Sequence, residues 1–102
     1  MAIDTLRHLS IAPSHPGEML AEIIIPATGK SKAEIARLLG ISRQTLYDII
    51  NEKQPVSPAI AVRLGKLFGD GAGIWIRMQG AYDTWKAERD VDVSGIVMLE
   101  RG

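Results

Sequence analysis

Apolar residues recur at steps of three and four along most of this chain, which is the spacing of one face of an α-helix. The first such segment shows the pattern with Met19, Leu20, Ile23 and Ile24. Later segments repeat it between clear capping and turn residues. The pattern therefore predicts five helices, over residues 16–25, 32–39, 43–51, 58–68 and 72–89.

Capping and turn residues mark the predicted helix ends. Pro16 takes the first position of the first helix, where its missing N–H breaks no hydrogen bond, and Pro26 is expected to stop that helix. Ser31 is the predicted N-cap of the second helix, and with Glu34 it forms a capping box. Gly40 is expected to end this helix in the left-handed conformation. Similar signals bound the third and fourth helices: Ser42, Ser57, Pro58 and Gly69.

The two ends of the chain lack the helical pattern. Residues 1–14 are expected to form an arm, with a short turn or strand near residues 6–11. Residues 91–102 are expected to form a short extended segment or a loosely docked tail. A chain of 102 residues suffices for one compact domain and not for two, and this domain is predicted over residues 15–90. We therefore predict an all-α five-helix bundle with an N-terminal arm and a short C-terminal tail.

Residues 31–53 carry the pattern of a helix-turn-helix unit. Two short helices that cross at about 90–120° through a tight turn need a small residue in the first helix and a flexible residue in the turn. Ala36 and Gly40 supply these two features. A plain αα-hairpin is the alternative, but caps on both helices and a full set of apolar contacts favour the helix-turn-helix of the phage-repressor type. The predicted contacts come from Ile35, Leu39, Ile41, Leu46 and Ile49.

The second helix of such a unit reads base edges in the major groove with its N-terminal residues. Here these are Arg43, Gln44 and Thr45, with Asp48 one turn later. Arginine pairs with guanine, glutamine pairs with adenine, and the threonine methyl can contact thymine. The alternative is a solvated helix face. Asp48 stays open, because phosphates repel a carboxylate unless it accepts from cytosine or orients Arg43.

Residues around this helix are predicted to hold the DNA backbone. Free N–H groups at a helix N-terminus favour a phosphate, and lysines add charge. Tyr47 has two interpretations, a phosphate contact or half-buried packing. The predicted backbone set is Ser31, Lys32, Ser42, Tyr47, Asn51 and Lys53.

The distribution of charge along the chain supports a nucleic-acid partner more than the net charge does. The formal net charge is zero, which argues weakly against nucleic-acid binding. Residues 30–66, however, hold seven bases and three acids, whereas residues 1–29 and 67–102 are each net −2. A phosphate backbone needs a local basic face rather than a basic total.

The composition excludes several other classes. There is no cysteine, so disulfides, zinc–thiolate sites and cysteine nucleophiles are ruled out. No stretch approaches about 18 apolar residues, and no signal-peptide pattern is visible, so we expect a cytoplasmic protein without membrane contact. His8 and His15 lie outside any metal-ligand or acid–base pattern. No enzyme activity, metal or cofactor is expected.

The last predicted helix carries an aromatic stripe with two interpretations, core or dimer interface. A chain of this length cannot easily bury every apolar residue after Ile74. We expect Trp75 and Met78 in the core. The outer part is expected at a dimer contact, formed by Gly80, Ala81, Tyr82 and Trp85. Helix-turn-helix dimers read palindromic operators, so a homodimer also suits DNA reading.

Four runs of residues together are typical of one protein family: His15-Pro16-Gly17-Glu18-Met19-Leu20, Ile35-Ala36-Arg37-Leu38-Leu39-Gly40-Ile41-Ser42, Ala61-Val62-Arg63-Leu64 and Trp75-Ile76-Arg77-Met78-Gln79. With these runs, residues 14–90 resemble the HigA antitoxins, which are Xre-type helix-turn-helix proteins of bacterial toxin–antitoxin operons. The resemblance implies a homodimer that binds its own promoter. It also implies tight binding of a small ribosome-dependent ribonuclease, the HigB toxin.

Three hypotheses follow from this reading. The first is an antitoxin that represses its own operon and neutralises a toxin. The second is a stand-alone Xre-type repressor without a toxin, which the neighbouring reading frame would distinguish. The third is a protein-interaction module that has lost DNA binding, which the zero net charge and Asp48 leave open.

Overall fold

The computed structural model describes residues 12–100. Within them it contains five helices and no strand, as the all-α prediction requires. The predicted short element near residues 6–11 lies outside the described residues. The helices are α1, built from Pro16–Met19, Leu20–Ile24 and Ile25–Thr28, then α2 (Lys32–Leu39), α3 (Arg43–Ile50), α4 (Pro58–Phe68) and α5 (Ala72–Asp90).

Helix α1 does not stop before Pro26, so that prediction was wrong. Its middle segment is π-helical, and the Ile25 N–H donates to the Leu20 carbonyl five residues earlier. This wider turn accommodates Pro26, which has no N–H and would clash with a regular α-helical turn. It also changes which residues share a face. Leu20 and Ile25 are buried, whereas Ile23, which was predicted on the apolar face, is 63% exposed.

The N-terminus of α1 packs directly on the end of α3. The His15 Nδ1 accepts the Gly17 N–H at 2.9 Å and so caps the helix, and Pro16 follows at the first helical position. A Cβ on Gly17 would overlap the carbonyl oxygen of Ile49. Only glycine therefore permits this contact between the two helices.

Helices α2 and α3 form the predicted helix-turn-helix. Gly40 has a φ of 73°, and a Schellman motif closes α2 because the Ile41 N–H donates to Ala36 and the Gly40 N–H donates to Arg37. Ala36 is buried, as the close crossing requires. Leu38 was predicted on the apolar face but is 42% exposed. The predicted contacts Ile35, Leu39, Leu46 and Ile49 are all buried, and Ile41 is half-buried.

Helices α4 and α5 close the core and fix the helix-turn-helix in place. Trp75 is fully buried, and its indole N–H donates to Asp70 at 3.0 Å. Met78 packs against the core, so both core predictions for α5 are confirmed. On α4, the Arg63 guanidinium donates to the Leu39 carbonyl at 2.8 Å and so holds the end of α2.

A buried amide ties α5 to the loop before α4. Gln79 accepts the Val56 N–H at 2.8 Å through Oε1 and donates to Asp83 at 2.9 Å through Nε2. Both hydrogen-bonding atoms of this buried side chain are therefore used within the fold. Its role was not predicted from the sequence, because its partner Val56 lies 23 residues away.

The stability of the fold should depend on pH through His15. Burial lowers the pKa of His15, against the opposing effect of the Glu52 and Asp83 carboxylates. The cap also needs neutral imidazole, since Nδ1 must be unprotonated to accept the hydrogen bond from the Gly17 N–H. The pKa of His15 is therefore higher in the unfolded chain than in the folded one. The stabilisation by the cap is complete above pH about 6.5 and is lost as the pH falls through the lower pKa of the folded state.

Thermal unfolding between pH 8 and pH 5 checks this expectation. The wild-type melting temperature should fall on acidification, and His15→Asn, which can cap without titrating, should flatten that fall. His8→Asn is the matched control for loss of an imidazole. An identical pH dependence in His15→Asn and wild type would show that this cap does not titrate.

Candidate nucleic-acid interface

The N-terminal turn of α3 is fixed by a side-chain cap. The Ser42 Oγ accepts the Thr45 N–H at 3.0 Å, and the Ser42 and Thr45 hydroxyl oxygens lie 2.8 Å apart. Thr45 is half-buried. Its hydroxyl is thus engaged by the cap, so the methyl group is the part that remains for a base contact, as the sequence interpretation assumed.

Arg43 and Gln44 project from this turn and are both exposed. The Gln44 Nε2 donates to the Asp48 Oδ1 at 2.8 Å. Asp48 therefore orients Gln44 in this structure, whereas the sequence interpretation had considered Arg43 as its partner. One amide hydrogen of Gln44 is used in this way. The second amide hydrogen and Oε1 are left for a bidentate contact of the kind that glutamine makes with adenine.

Residues predicted to contact the DNA backbone precede and follow this turn in the sequence. Ser31 caps α2 by accepting the Glu34 N–H at 3.1 Å. The Glu34 carboxylate does not complete the predicted capping box. It pairs instead with Arg37 at 3.0 Å and Lys30 at 4.0 Å.

The remaining backbone candidates are exposed. Lys32 begins α2, and Lys53 follows α3. Neither belongs to the ion pairs found within residues 12–100. Asn51 is the C-cap of α3, and Tyr47 is 38% exposed. These residues leave polar and cationic groups exposed to solvent before and after Arg43 and Gln44 in the sequence.

The predicted dimer residues have neighbours within their own chain. The Tyr82 ring meets His15 edge to face, with 5.0 Å between the ring centroids. The Arg89 guanidinium lies 3.9 Å from the centroid of the Trp85 ring. Both aromatic side chains are half-buried, whereas Gly80 and Ala81 are exposed. Tyr82 thus supports the His15 cap, a role that sequence reasoning missed.

Two specific features are absent from the described part of the chain. Residues 12–100 contain no group of three or more histidine, cysteine, aspartate or glutamate side chains that could hold a metal ion. No helix in that range is long and apolar enough to cross a membrane.

Fold and exposed face together define the class: this is a helix-turn-helix DNA-binding protein. A helix-turn-helix pair sits on a helical core, and its second helix presents Arg43 and Gln44 to solvent. The chain belongs to the Xre-type helix-turn-helix family HTH_3, whose model matches residues 20–69. HigA antitoxins are among its relatives, which confirms the resemblance seen in the sequence.

Similar proteins give this assignment detail. Virulence-associated protein I of Dichelobacter nodosus is 34% identical over 84 residues, which are 82% of this chain and 78% of that protein. A HigA-family addiction module antidote protein from Coxiella burnetii has a TM-score of 0.80 at 29% identity, covering 88% of this chain and 100% of that one. A Pseudomonas aeruginosa protein solved with its 28 bp operator DNA has a TM-score of 0.73 at 35% identity, covering 76% of this chain and 86% of that one.

Proposed function

We propose that this chain is a cytoplasmic antitoxin that represses its own operon and neutralises a HigB-type ribonuclease toxin by direct binding. In this role it binds a palindromic operator as a homodimer. Arg43, Gln44, Thr45 and Asp48 face base edges. The backbone contacts come from Ser31, Lys32, Ser42, Tyr47, Asn51 and Lys53.

The observation that carries the DNA-reading part is the exposure of Arg43 and Gln44 at the start of α3. The core does not use either side chain, because Leu46, Ile49 and Ile50 make the buried face of this helix. Asp48 holds Gln44 in place, which lowers the entropy lost when the amide meets a base. The operator complex of the similar Pseudomonas aeruginosa protein supports the same use of the fold.

The antitoxin part is supported by relatives rather than by a site on this chain. The Coxiella burnetii neighbour, a HigA-family antidote protein, matches 88% of the chain. The packing of α1 on α3 explains why the His15-Pro16-Gly17 run is needed. The run is therefore evidence for the fold at least as much as for a toxin partner.

Co-purification with the product of the neighbouring reading frame tests the antitoxin proposal. We expect a small basic protein to co-elute with the tagged chain and to halt growth when expressed alone. Co-expression of this chain should restore growth. If the chain binds its operator but neither neighbouring product binds it or is toxic, the stand-alone repressor is correct instead.

Lys32→Ala and Lys53→Ala should each lower the salt dependence of operator binding. Each phosphate contact contributes about 0.9 to the slope of log K against log salt, so each variant should lose about one unit of slope. Affinity should fall about equally for specific and random DNA, as measured by fluorescence anisotropy across a salt series. Lys86→Ala, which removes the same charge from α5, should keep the wild-type slope. An unchanged slope in both test variants would remove these lysines from the interface.

A further inference from the structure

Asp48 is the acidic residue of α3, and it lies one helical turn after Gln44. The Gln44 Nε2 donates to the Asp48 Oδ1 at 2.8 Å, as residues four positions apart on a helix can do. The buried face of α3 is made by Leu46, Ile49 and Ile50, so this pair lies outside that face. The hydrogen bond therefore does not serve the core, and its consequences fall on the surface proposed to meet DNA.

The chemistry of the carboxylate fixes the orientation of the Gln44 amide. An ionised carboxylate has only acceptors, so it holds the amide through Nε2 and never through Oε1. An asparagine at the same position can donate as well as accept, and it would permit the Gln44 amide to turn over. Asp48 thus selects one of the two amide orientations, in which Oε1 and one N–H of Gln44 remain for a ligand.

This amide orientation matches one purine and opposes the other. In the major groove adenine presents an acceptor at N7 and a donor at N6, whereas guanine presents acceptors at both N7 and O6. The free N–H and Oε1 of Gln44 complement the adenine pair. Against guanine, Oε1 would meet a second acceptor, and the N–H that would replace it is already used by Asp48. The hydrogen bond therefore excludes the arrangement in which Gln44 donates twice.

The same carboxylate opposes binding to the DNA backbone. Asp48 belongs to neither of the ion pairs found within residues 12–100, so its charge is not neutralised by an ion pair in that range. Double-stranded DNA carries about one negative charge per 1.7 Å of its axis, so a carboxylate held near it reduces affinity whatever the sequence. The charge of Asp48 thus lowers affinity for all DNA, while its hydrogen bond sharpens the choice of base at one position.

We propose that Asp48 is a positioning residue that makes Gln44 selective for adenine over guanine and lowers the affinity of the chain for all DNA. The inference rests on the proposed function, since it requires that α3 reads an operator, and it adds the base that Gln44 reads. It also gives Asp48 a role through Gln44 rather than through a base contact of its own. Each operator half-site then contains an adenine whose recognition depends on both residues.

A base-pair substitution scan of the operator tests the proposal. Each base pair is replaced in turn by the other three, and fluorescence anisotropy at one fixed salt concentration gives the change in dissociation constant. The position that Gln44 reads is the one at which Gln44→Ala loses the wild-type preference. At that position the wild-type chain should prefer adenine over guanine by about 5- to 150-fold, which is the range of one bidentate contact.

Asp48→Ala should change selectivity and affinity in opposite directions. The preference for adenine should fall at least about threefold, because the amide of Gln44 is then free to turn over. The affinity for random DNA should rise about two- to fivefold, because a carboxylate near the phosphates is removed. A loss of stability would lower both. Asp48→Asn should raise the affinity for random DNA equally and reduce the adenine preference less than alanine does, because it keeps an acceptor.

Glu52→Gln is the matched control, because it turns another exposed carboxylate, just beyond α3, into an amide. It should leave the adenine preference at the wild-type value. In the Gln44→Ala background, Asp48→Ala should change no base preference, since the two residues act as one unit. The melting temperature of each variant should stay close to wild type, as expected for substitutions outside the core.

The outcomes separate this inference from the proposed function. A wild-type chain that binds upstream and random DNA equally well would overturn both. An operator-specific chain whose adenine preference survives Asp48→Ala would overturn the inference alone. A preference for cytosine that Asp48→Ala removes even in the Gln44→Ala background would show that Asp48 reads a base directly, which also overturns the inference and leaves the operator role intact.

Discussion

Replacing Arg43 and Gln44 together with alanine should weaken operator binding by about 30-fold or more for each half-site. A bidentate contact from arginine or glutamine to a base contributes about 1–3 kcal/mol of discrimination, and two such contacts are removed. Both side chains are exposed and neither packs in the core. Fluorescence anisotropy with the chain's own upstream DNA, at one fixed salt concentration, measures the effect.

The controls for this experiment distinguish a loss of base recognition from a loss of stability and from the loss of a positive charge. The melting temperature of the double variant should stay close to wild type, because surface substitutions rarely change stability by more than about 0.5 kcal/mol. Binding to random DNA should be much less affected. Lys86→Ala removes a positive charge from α5 and should retain the wild-type preference for the operator. Full operator affinity in the double variant would show that the surface that reads the bases is not on α3.

Gly17→Ala should have the largest effect on folding. The added methyl group would overlap the Ile49 carbonyl oxygen and lie 3.0 Å from the Ile50 Cα, both of which are backbone atoms that cannot rotate away. Overpacking of this kind costs about 3 kcal/mol or more. For a domain of this size, each kcal/mol lowers the melting temperature by about 4–8 °C, so we expect a loss of at least about 12 °C.

Gly80→Ala is the matched control, because it makes the same change inside a helix where nothing lies within 4 Å of the new methyl group. Alanine is a better helix former than glycine by about 1 kcal/mol, so the melting temperature of the isolated chain should rise. Equal melting temperatures for Gly17→Ala and wild type would contradict the close packing of α1 on α3. A Gly80→Ala chain that is more stable but dimerises less would place Gly80 at the interface.

Local sequence signals sufficed to predict the helix-turn-helix and those helix boundaries that depend on capping residues. Ser31, Ser42 and Gly40 act through hydrogen bonds or backbone angles within a few residues, so the sequence pattern contains their effect. Helix α1 was predicted less well. Pro26 normally stops a helix, but burial of Leu20 and Ile25 on one face favours a π-helical turn that carries the helix past it.

The candidate site also has features that the sequence predicts and features that it does not. The exposure of Arg43 and Gln44 follows from the apolar period of α3, which leaves these positions outside the core. Contacts between distant segments could not be predicted. The packing of His15 on Tyr82 and the hold of Arg63 on the end of α2 depend on how the helices cross.

Footprinting of the chain's own upstream DNA tests the central claim most directly. The account predicts two protected half-sites related by a palindrome, with their centres about 10–10.5 bp apart or a multiple of that distance. Protection should be lost at both half-sites with the Arg43→Ala, Gln44→Ala chain. Uniform weak protection of upstream and random DNA by the wild-type chain would contradict the claim that α3 reads an operator.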